Sequence, residues 1–141
     1  MAFKSNERNV RIEWGDCDPA GIVYYPRYFA MFDASTTALF ERALGMTKYE
    51  FLKHYRFLGY PMLTTEARFT APARFGDTVT IQTRLVNVGR SSFEVAHTLL
   101  KDGTTAVEAT EKRVWAVQDP ADTDRIKSEP IPEDVVRKLA V

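Results

Sequence analysis

The sequence has almost no cysteine and no excess of charge of either sign. Cys17 is the only cysteine among 141 residues, which excludes a disulfide framework and any metal site built from several cysteines. The 19 basic side chains equal the 19 acidic ones, so no overall electrostatic field attracts nucleic acid or an anionic membrane. An anionic ligand would therefore have to be held by a local patch of basic residues.

Long apolar runs are missing as well. The longest continue for only a few residues, so we expect no helix to span a bilayer. Residues 1–8 lack the apolar core of a signal peptide. With 45% hydrophobic and 27% charged residues, the composition is typical of a soluble globular domain. We expect one cytoplasmic domain over residues 1–141, with neither membrane nor nucleic acid as a partner.

Helical spacing of apolar residues predicts one long, mostly buried helix over residues 26–44. Pro26 suits its first position, because the N–H that proline lacks is not needed there. Gly45 is expected to end the helix. A second, shorter helix begins at a capping box over residues 47–50 and is expected to end at Gly59.

The remaining segments alternate between apolar and polar residues, as half-buried strands do. The predicted strands cover residues 10–14, 63–69, 79–85, 93–99 and 105–117. Gly89-Arg90 is predicted to form a type II′ hairpin turn and Asp102-Gly103 a type I′ turn. A short last helix is predicted near residues 132–139. This order predicts an α+β fold, a five-stranded antiparallel sheet curled around one long buried helix, whose exposed edges favour pairing with a second copy.

Residues 15–21 form a turn-rich loop with two carboxylates, Asp16 and Asp18, immediately before the long helix. One interpretation is structural: the aspartates form turns and cap the helix, since their side chains bond nearby backbone N–H groups. Alternatively, one carboxylate faces a pocket at the helix start, where free N–H groups and the helix dipole would stabilise an oxyanion. Such a carboxylate could attack a carbonyl carbon or activate water.

The segment over residues 16–26, DCDPAGIVYYP, followed by Tyr28 and Asp33, resembles the 4-hydroxybenzoyl-CoA thioesterase family of hotdog-fold enzymes. Later segments that are similar to the family's pattern are residues 72–77, 92–93 and 113–114. The resemblance covers almost the whole chain, and its first motif is the specific one.

The resemblance implies hydrolysis of an acyl-CoA thioester to a free acid and coenzyme A, with no metal and no cofactor. The family's catalytic carboxylate matches Asp18, and the backbone N–H of Tyr25 would polarise the thioester carbonyl. In the related branch acting on short acyl-CoAs a histidine occupies the position of Tyr25, so the tyrosine favours an aromatic, 4-hydroxybenzoyl-like acyl group. The family also implies a homo-oligomer, expected here as a tetramer built from dimers, with active sites between subunits.

The acyl pocket is expected along the first half of the long helix. Tyr24, Tyr28 and Phe32 could form its aromatic wall, although aromatic residues on a buried helix are commonly core. Asp33 has two interpretations. Either it lies at the helix margin and meets solvent or an arginine, or it lies in the acyl pocket and binds a ring substituent, as an aspartate does at this point in the resembling enzymes.

Coenzyme A carries several phosphate charges, so basic residues should line its groove. The candidates are Arg90, Arg113, Arg125 and Lys127, although most basic side chains only solvate a surface. The resembling aryl-CoA enzyme has a basic cluster at the hairpin where this chain has Gly89-Arg90-Ser91. With only Arg90 left there, we expect other residues to share the binding of coenzyme A.

The other candidate residues are expected to have structural rather than catalytic or metal-binding roles. Asp16 is expected to bond the loop backbone. Cys17 would need a lowered pKa and a base to act as a nucleophile, and no histidine is close in sequence. His97 is expected to be a hydrogen-bonded core residue and His54 to be exposed. Two scattered histidines and one cysteine predict no metal site.

The sequence thus predicts a thioesterase acting on an aromatic acyl-CoA, with three alternatives. The first is hydrolysis of a short or medium aliphatic acyl-CoA. The second is a non-catalytic acyl-CoA-binding module on the same fold, against which the presence of Asp18 argues. The third is a dehydratase of the same fold, which would need a histidine on the long helix, where residues 26–44 have none.

Overall fold

The computed structural model describes residues 2–141 as one five-stranded sheet, one long helix and several short elements. In chain order the elements are β1 Ser5–Arg11, a 3₁₀ turn Trp14–Asp16, α1 Tyr25–Leu44, α2 Lys48–His54, β2 Met62–Phe69, β3 Thr78–Val88, β4 Ser92–Lys101, β5 Thr104–Val114, β6 Ala116–Gln118, β7 Ile126–Ser128 and α3 Glu133–Leu139. None of these helices is long and apolar enough to cross a membrane within the residues described.

The main sheet has the order β1-β3-β4-β5-β2, and every neighbouring pair is antiparallel. α1 lies across one face of the sheet, where Phe32 stacks on His97 of β4 and Thr36 donates a hydrogen bond to Glu111 of β5. The predicted α+β class, with a five-stranded antiparallel sheet around one long helix, is confirmed.

The core consists of two apolar clusters, one at each half of α1. The cluster at the N-terminal half includes Ile12, Tyr28, Phe32 and Val107. The cluster at the C-terminal half includes Leu39, Phe40, Phe93, Trp115 and Val135, so that α3 packs into it as well. α1 therefore contributes buried side chains to both clusters.

Three of the predicted boundaries are wrong. The first strand covers Ser5–Arg11 rather than residues 10–14, because Trp14 begins the 3₁₀ turn. α2 ends at His54 rather than at Gly59, because Arg56 takes a left-handed conformation with φ 53° and turns the chain away. The predicted last strand is divided: β5 ends at Val114, and β6 leaves the main sheet to pair with β7. The N-cap of α2 is as predicted, since Thr47 and Glu50 form a reciprocal capping box.

One of the two hairpin turns is as predicted. Asp102 and Gly103 both have positive φ, as a type I′ turn requires. The other turn differs, because the Gly89 N–H donates to the Ser92 carbonyl and makes Arg90 and Ser91 the central residues. Neither of these has a positive φ, so the turn is not type II′.

The two edges of the sheet differ. The β1 edge is partly covered, because the Lys4 N–H donates to the Leu139 carbonyl and Phe3 bridges to Ala140. Within residues 2–141 no strand pairs with the outer side of β2. β2 also exposes large apolar side chains, those of Met62, Leu63 and Phe69. β2 is therefore the open edge of this chain.

Candidate active site

Backbone hydrogen bonds fix the loop that precedes α1. Its 3₁₀ turn is closed by the Asp16 carboxylate, which accepts a hydrogen bond from the Glu13 N–H at 2.9 Å. Asp16 thus has the loop-forming role predicted for it. The Asp16 carbonyl in turn accepts from the Tyr24 N–H at 2.8 Å, which ties the loop to the start of the helix.

Asp18 lies at the tip of this loop and is half-buried. Its Oδ1 accepts a hydrogen bond from the Ala20 N–H at 2.9 Å, and its carbonyl accepts from the Gly21 N–H at 2.9 Å. Gly21 has φ 78°, a conformation that glycine adopts without strain. The second carboxylate oxygen has no hydrogen-bond partner within residues 2–141, so it remains available to a reactant.

α1 begins at Tyr25 without a side-chain cap. Its N-cap residue, Tyr24, makes no capping hydrogen bond, and Pro26 has no N–H to offer. The Tyr25 N–H has no acceptor among residues 2–141 and lies at the positive end of the helix dipole. Because the Tyr24 N–H is held by Asp16, the loop that carries Asp18 and this open N–H belong to the same end of the molecule.

The predicted aromatic wall divides into buried and open residues. Tyr28 is buried, and its hydroxyl accepts a hydrogen bond from the Ala73 N–H at 3.0 Å. Phe32 is 1% exposed and stacks on His97. Both therefore belong to the core of the single chain, and neither faces an open pocket there. Tyr24 is exposed, with 52% of its surface accessible.

An aromatic cluster beside Tyr25 was not predicted from the sequence. The exposed ring of Phe69 on β2 packs edge-on against Tyr25 and Phe29 and tilted against Tyr28. Strand alternation places Phe69 on the same face as its i−2 neighbours but says nothing of its exposure. A large aromatic residue at the end of an edge strand is the signal that could have identified it.

Asp33 lies at the margin of α1 and faces an arginine. Its carboxylate is 55% exposed, and its Oδ1 accepts a hydrogen bond from Arg113 Nη2 at 2.8 Å. Of the two interpretations, the margin position with an arginine partner describes the single chain. The other carboxylate oxygen has no hydrogen-bond partner within the residues described.

Arg113 is buried and already paired, which the sequence did not show. Its Nε and Nη2 donate to Glu111 at 2.9 and 3.2 Å, and its Nη1 donates to the Tyr60 carbonyl at 3.2 Å. A guanidinium that holds two carboxylates and a carbonyl has no free edge for a phosphate. Arg113 therefore drops out of the predicted coenzyme A contacts.

The other three basic candidates are exposed and belong to one end of the sheet. The Arg90 carbonyl accepts a hydrogen bond from the Ile131 N–H at 2.8 Å. Trp115 donates to the Ser91 carbonyl at 2.7 Å and accepts from the Glu129 N–H at 3.0 Å. These bonds hold residues 129–131 beside the Arg90 hairpin. β7, which contains Lys127 and directly follows Arg125, leads into this segment.

Cys17 and the histidines have no catalytic geometry. Desolvation raises the pKa of the Cys17 thiol, and the charges of Asp16 and Asp18 raise it further, so the thiol stays protonated. His97 is buried and hydrogen-bonded in the core, as predicted, and His54 is exposed. No group of three potential metal ligands occurs within residues 2–141.

The chain is similar to proteins of one family. A family model described as the thioesterase-like superfamily matches residues 12–139. The 4-hydroxybenzoyl-CoA thioesterase of Pseudomonas sp. strain CBS-3 is 31% identical over 132 residues, which are 89% of this chain and 91% of that protein. The acyl-CoA thioester hydrolase YbgC of Shigella flexneri is 24% identical over 139 residues, which are 92% of each.

Solved structures agree with these sequence matches. The structure of the Pseudomonas enzyme has a TM-score of 0.86 and covers 95% of this chain and 98% of its own. The structure of a gentisyl-coenzyme A thioesterase has a TM-score of 0.81 at 32% identity and covers 94% of this chain and 99% of its own. The likeness thus extends over nearly all of the chain, loop and helix start included.

Proposed function

This chain belongs to the thioesterase-like superfamily and is an acyl-CoA thioester hydrolase, and we propose that its substrate is an aromatic, 4-hydroxybenzoyl-like acyl-CoA. The products are the free acid and coenzyme A. Two relatives above 30% identity are named for 4-hydroxybenzoyl-CoA and for gentisyl-coenzyme A, both hydroxylated aryl thioesters. The observation that carries the proposal is the open carboxylate of Asp18 at the same end as the unpaired Tyr25 N–H.

In the proposed reaction the thioester carbonyl oxygen accepts a hydrogen bond from the Tyr25 N–H. The helix dipole and this donor stabilise the negative charge that develops on the oxygen as the carbonyl carbon is attacked. The attacking oxygen comes either from the Asp18 carboxylate, giving an anhydride that water then cleaves, or from a water molecule that Asp18 deprotonates. In the first route the coenzyme A thiolate leaves as the anhydride forms, and in the second it leaves as the tetrahedral adduct of water collapses to the acid. Both routes need an ionised Asp18.

A row of α1 residues supports an aromatic acyl group. Tyr25, Phe29 and Asp33 follow one another at i+4 spacing and therefore lie on one side of the helix. Phe69 contacts the first two, and Arg113 contacts the third. The row thus has an aromatic end and a carboxylate end, which suit an aromatic ring and its polar substituent. Eight residues separate the two ends, a distance of about 12 Å along the helix.

That separation exceeds the length of a 4-hydroxybenzoyl group, so we propose that the two ends come from different subunits. β2 pairs with β5 so that Met62 lies opposite Arg113 and Phe69 opposite Val107. If two copies join their open β2 edges in antiparallel fashion, the Phe69 end of one strand meets the Met62 end of the other. Asp33 of the partner subunit is then brought toward the Tyr25 end of the first.

The same arrangement supplies the proposed coenzyme A contacts. Arg90, Arg125 and Lys127 lie at the end of the sheet where β2 begins and β5 ends. In the two-fold dimer this end lies beside the Tyr25 end of the other subunit. Exposed basic side chains there would bind the phosphates of coenzyme A by charge-assisted hydrogen bonds. Two such dimers would form the tetramer that we propose.

A hydrolysis panel with thiol detection tests the proposed substrate. The panel contains 4-hydroxybenzoyl-CoA, benzoyl-CoA and a short and a medium aliphatic acyl-CoA. We expect the highest kcat/KM for the hydroxylated ring, because a site built to hydrogen-bond a hydroxyl rejects the analogue that lacks it. A preference for an aliphatic thioester would replace the aromatic substrate with the aliphatic one and leave the hydrolase assignment in place.

A further inference from the structure

A buried polar layer separates the two apolar clusters at the middle of α1. Its members are Thr36, Thr83, His97, Glu111 and Arg113, none more than 4% exposed. No buried side-chain nitrogen or oxygen within residues 2–141 lacks a hydrogen-bond partner. A layer that is completely satisfied in this way fixes one arrangement of its side chains.

Glu111 is the anchor of this layer. Its Oε1 accepts hydrogen bonds from Thr36 Oγ1 at 2.6 Å and from Arg113 Nε at 2.9 Å. Its Oε2 lies 3.2 Å from His97 Nε2 and 3.2 Å from Arg113 Nη2. Burial would raise the pKa of Glu111, but the hydrogen bonds from His97, Arg113 and Thr36 hold it at about 2. Glu111 is therefore ionised and keeps the Arg113 guanidinium in one orientation.

Arg113 is the member of the layer that reaches the proposed acyl site. With Nε and Nη2 turned toward Glu111, the guanidinium presents Nη2 to Asp33 at 2.8 Å and Nη1 to the Tyr60 carbonyl at 3.2 Å. The guanidinium also lies over the Tyr60 ring, with 5.4 Å from Cζ to the centroid. All three guanidinium nitrogens donate to protein acceptors, so the direction of the contact with Asp33 is set from inside the protein.

We propose that Arg113, anchored by Glu111, is a positioning residue that fixes the Asp33 carboxylate as the acceptor for the ring hydroxyl of the substrate. The inference rests on the proposed function, since it assigns a device to the site described there. An exposed aspartate on a helix margin exchanges among several side-chain rotamers. One oxygen bound to a fixed guanidinium holds that carboxylate, and the second oxygen stays open to accept a hydrogen bond.

A purely structural role for Arg113 makes a different prediction. If the guanidinium only neutralises Glu111, its replacement alters folding and affects every substrate alike. If it positions Asp33, its replacement affects the hydroxylated substrate selectively. A lysine keeps the positive charge beside Glu111, but its point charge cannot bond Glu111, Asp33 and the Tyr60 carbonyl at once.

The test measures kcat and KM of Arg113→Lys for 4-hydroxybenzoyl-CoA and benzoyl-CoA. We expect the ratio of the two kcat/KM values to fall by about tenfold, chiefly because the hydroxylated substrate slows. In the Asp33→Ala background, which has no acceptor left to position, the same substitution should leave the ratio unchanged, since the two residues act as one unit. Arg8→Lys is the matched control, because Arg8 binds the same helix through Ser35 and the Met31 carbonyl without touching Asp33.

Equal losses for both substrates, or an undiminished effect in the Asp33→Ala background, would overturn the inference. Failure of the wild-type enzyme to favour the hydroxylated ring would instead overturn the proposed substrate, and with it the role assigned to Arg113. If Arg113→Lys does not fold, the double variant Glu111→Gln/Arg113→Gln replaces the ion pair with two neutral amides. The same fall in the ratio is then expected from that variant, and an unchanged ratio contradicts the proposal.

Discussion

At the scale of the residue, the proposed chemistry depends on the charge of Asp18. Asp18→Asn keeps an oxygen that accepts the Ala20 N–H but removes the negative charge and the basicity. We expect kcat to fall by at least about a hundredfold, the scale of a positioned acid–base or nucleophilic group. Binding of a non-hydrolysable acyl-CoA, measured by calorimetry, should remain close to that of the wild type.

Cys17→Ala is the matched control for that substitution, since it changes the neighbouring residue of the same loop. The thiol makes one weak contact, at 3.6 Å to the Glu13 carbonyl, and its pKa is raised, so its loss should leave most of the activity. Near-native turnover of Asp18→Asn would remove Asp18 from the mechanism. An inactive but folded Cys17→Ala would instead revive a mechanism with the thiol as nucleophile.

Asp33 is the residue on which the proposed preference for a hydroxylated ring depends. Asp33→Ala removes the proposed hydroxyl acceptor, so the preference for 4-hydroxybenzoyl-CoA over benzoyl-CoA should narrow by about tenfold or more. The loss should fall mainly on the hydroxylated substrate. Comparison of kcat/KM for the two thioesters checks this. Equal losses would mean that Asp33 is only a solvent-exposed residue at the helix margin.

Sequence reasoning predicted residues whose roles are local and missed those whose roles depend on packing. The position of Asp18 and Tyr25 at the helix start could be predicted, because a short loop and a helix terminus determine it. Arg113 was predicted as a phosphate ligand, because nothing in the sequence shows that Glu111 pairs with it two residues away inside the sheet. Phe32 was predicted as a pocket wall for the same reason, since its stacking on His97 is a long-range contact.

At the scale of the element, local turn chemistry predicted some boundaries and tertiary contacts determined others. Asp102-Gly103 follows its sequence preference because both residues tolerate positive φ. The break between β5 and β6 has no local signal, because residues 114–117 are a continuous apolar run without glycine or proline. The break occurs at Trp115, whose N–H leaves the ladder for the Ser91 carbonyl and whose ring stacks on Phe57 with 3.7 Å between centroids.

The open β2 edge gives a prediction about assembly. We expect light scattering to report wild-type particles larger than the 16.1 kDa monomer. Leu63, 55% exposed on β2, would lie in the proposed interface, so Leu63→Lys places an unpaired charge there in each subunit. We expect association to weaken by about tenfold or more, with activity falling as dimer is lost, because the proposed site is built from both subunits.

Tyr49→Lys controls for this substitution, since Tyr49 is 70% exposed but lies on α2. It should leave particle size and activity unchanged. A monomeric and active wild-type enzyme would contradict both the shared site and the assignment of β2 as the interface.

At the scale of the whole molecule, one set of side chains serves both folding and the proposed site. The polar layer divides the core into two clusters, and its Arg113 extends to Asp33 at the surface. The sequence predicted the overall architecture because alternation and helical spacing report which face is buried. It could not predict the exposure of Met62, Leu63 and Phe69, because alternation along a strand does not show which strand lies at an open edge of the sheet.

The polar layer makes stability depend on acid pH through Glu111. The pKa of Glu111 is lowered from its ordinary 4.5 to about 2 in the folded protein. Its contribution to the free energy of unfolding is therefore fully present above pH 4.5 and is lost as the pH falls toward 2, a loss of about 3 kcal/mol. Denaturant unfolding of the wild type and of Glu111→Gln, at one protein concentration, should give free energies of unfolding that converge as the pH falls over this range.

Glu50→Gln is the control, since it removes an exposed capping carboxylate. It should keep most of the wild-type dependence of the free energy of unfolding on pH. A Glu111→Gln variant that loses stability with acid as steeply as the wild type would show that other carboxylates govern acid unfolding.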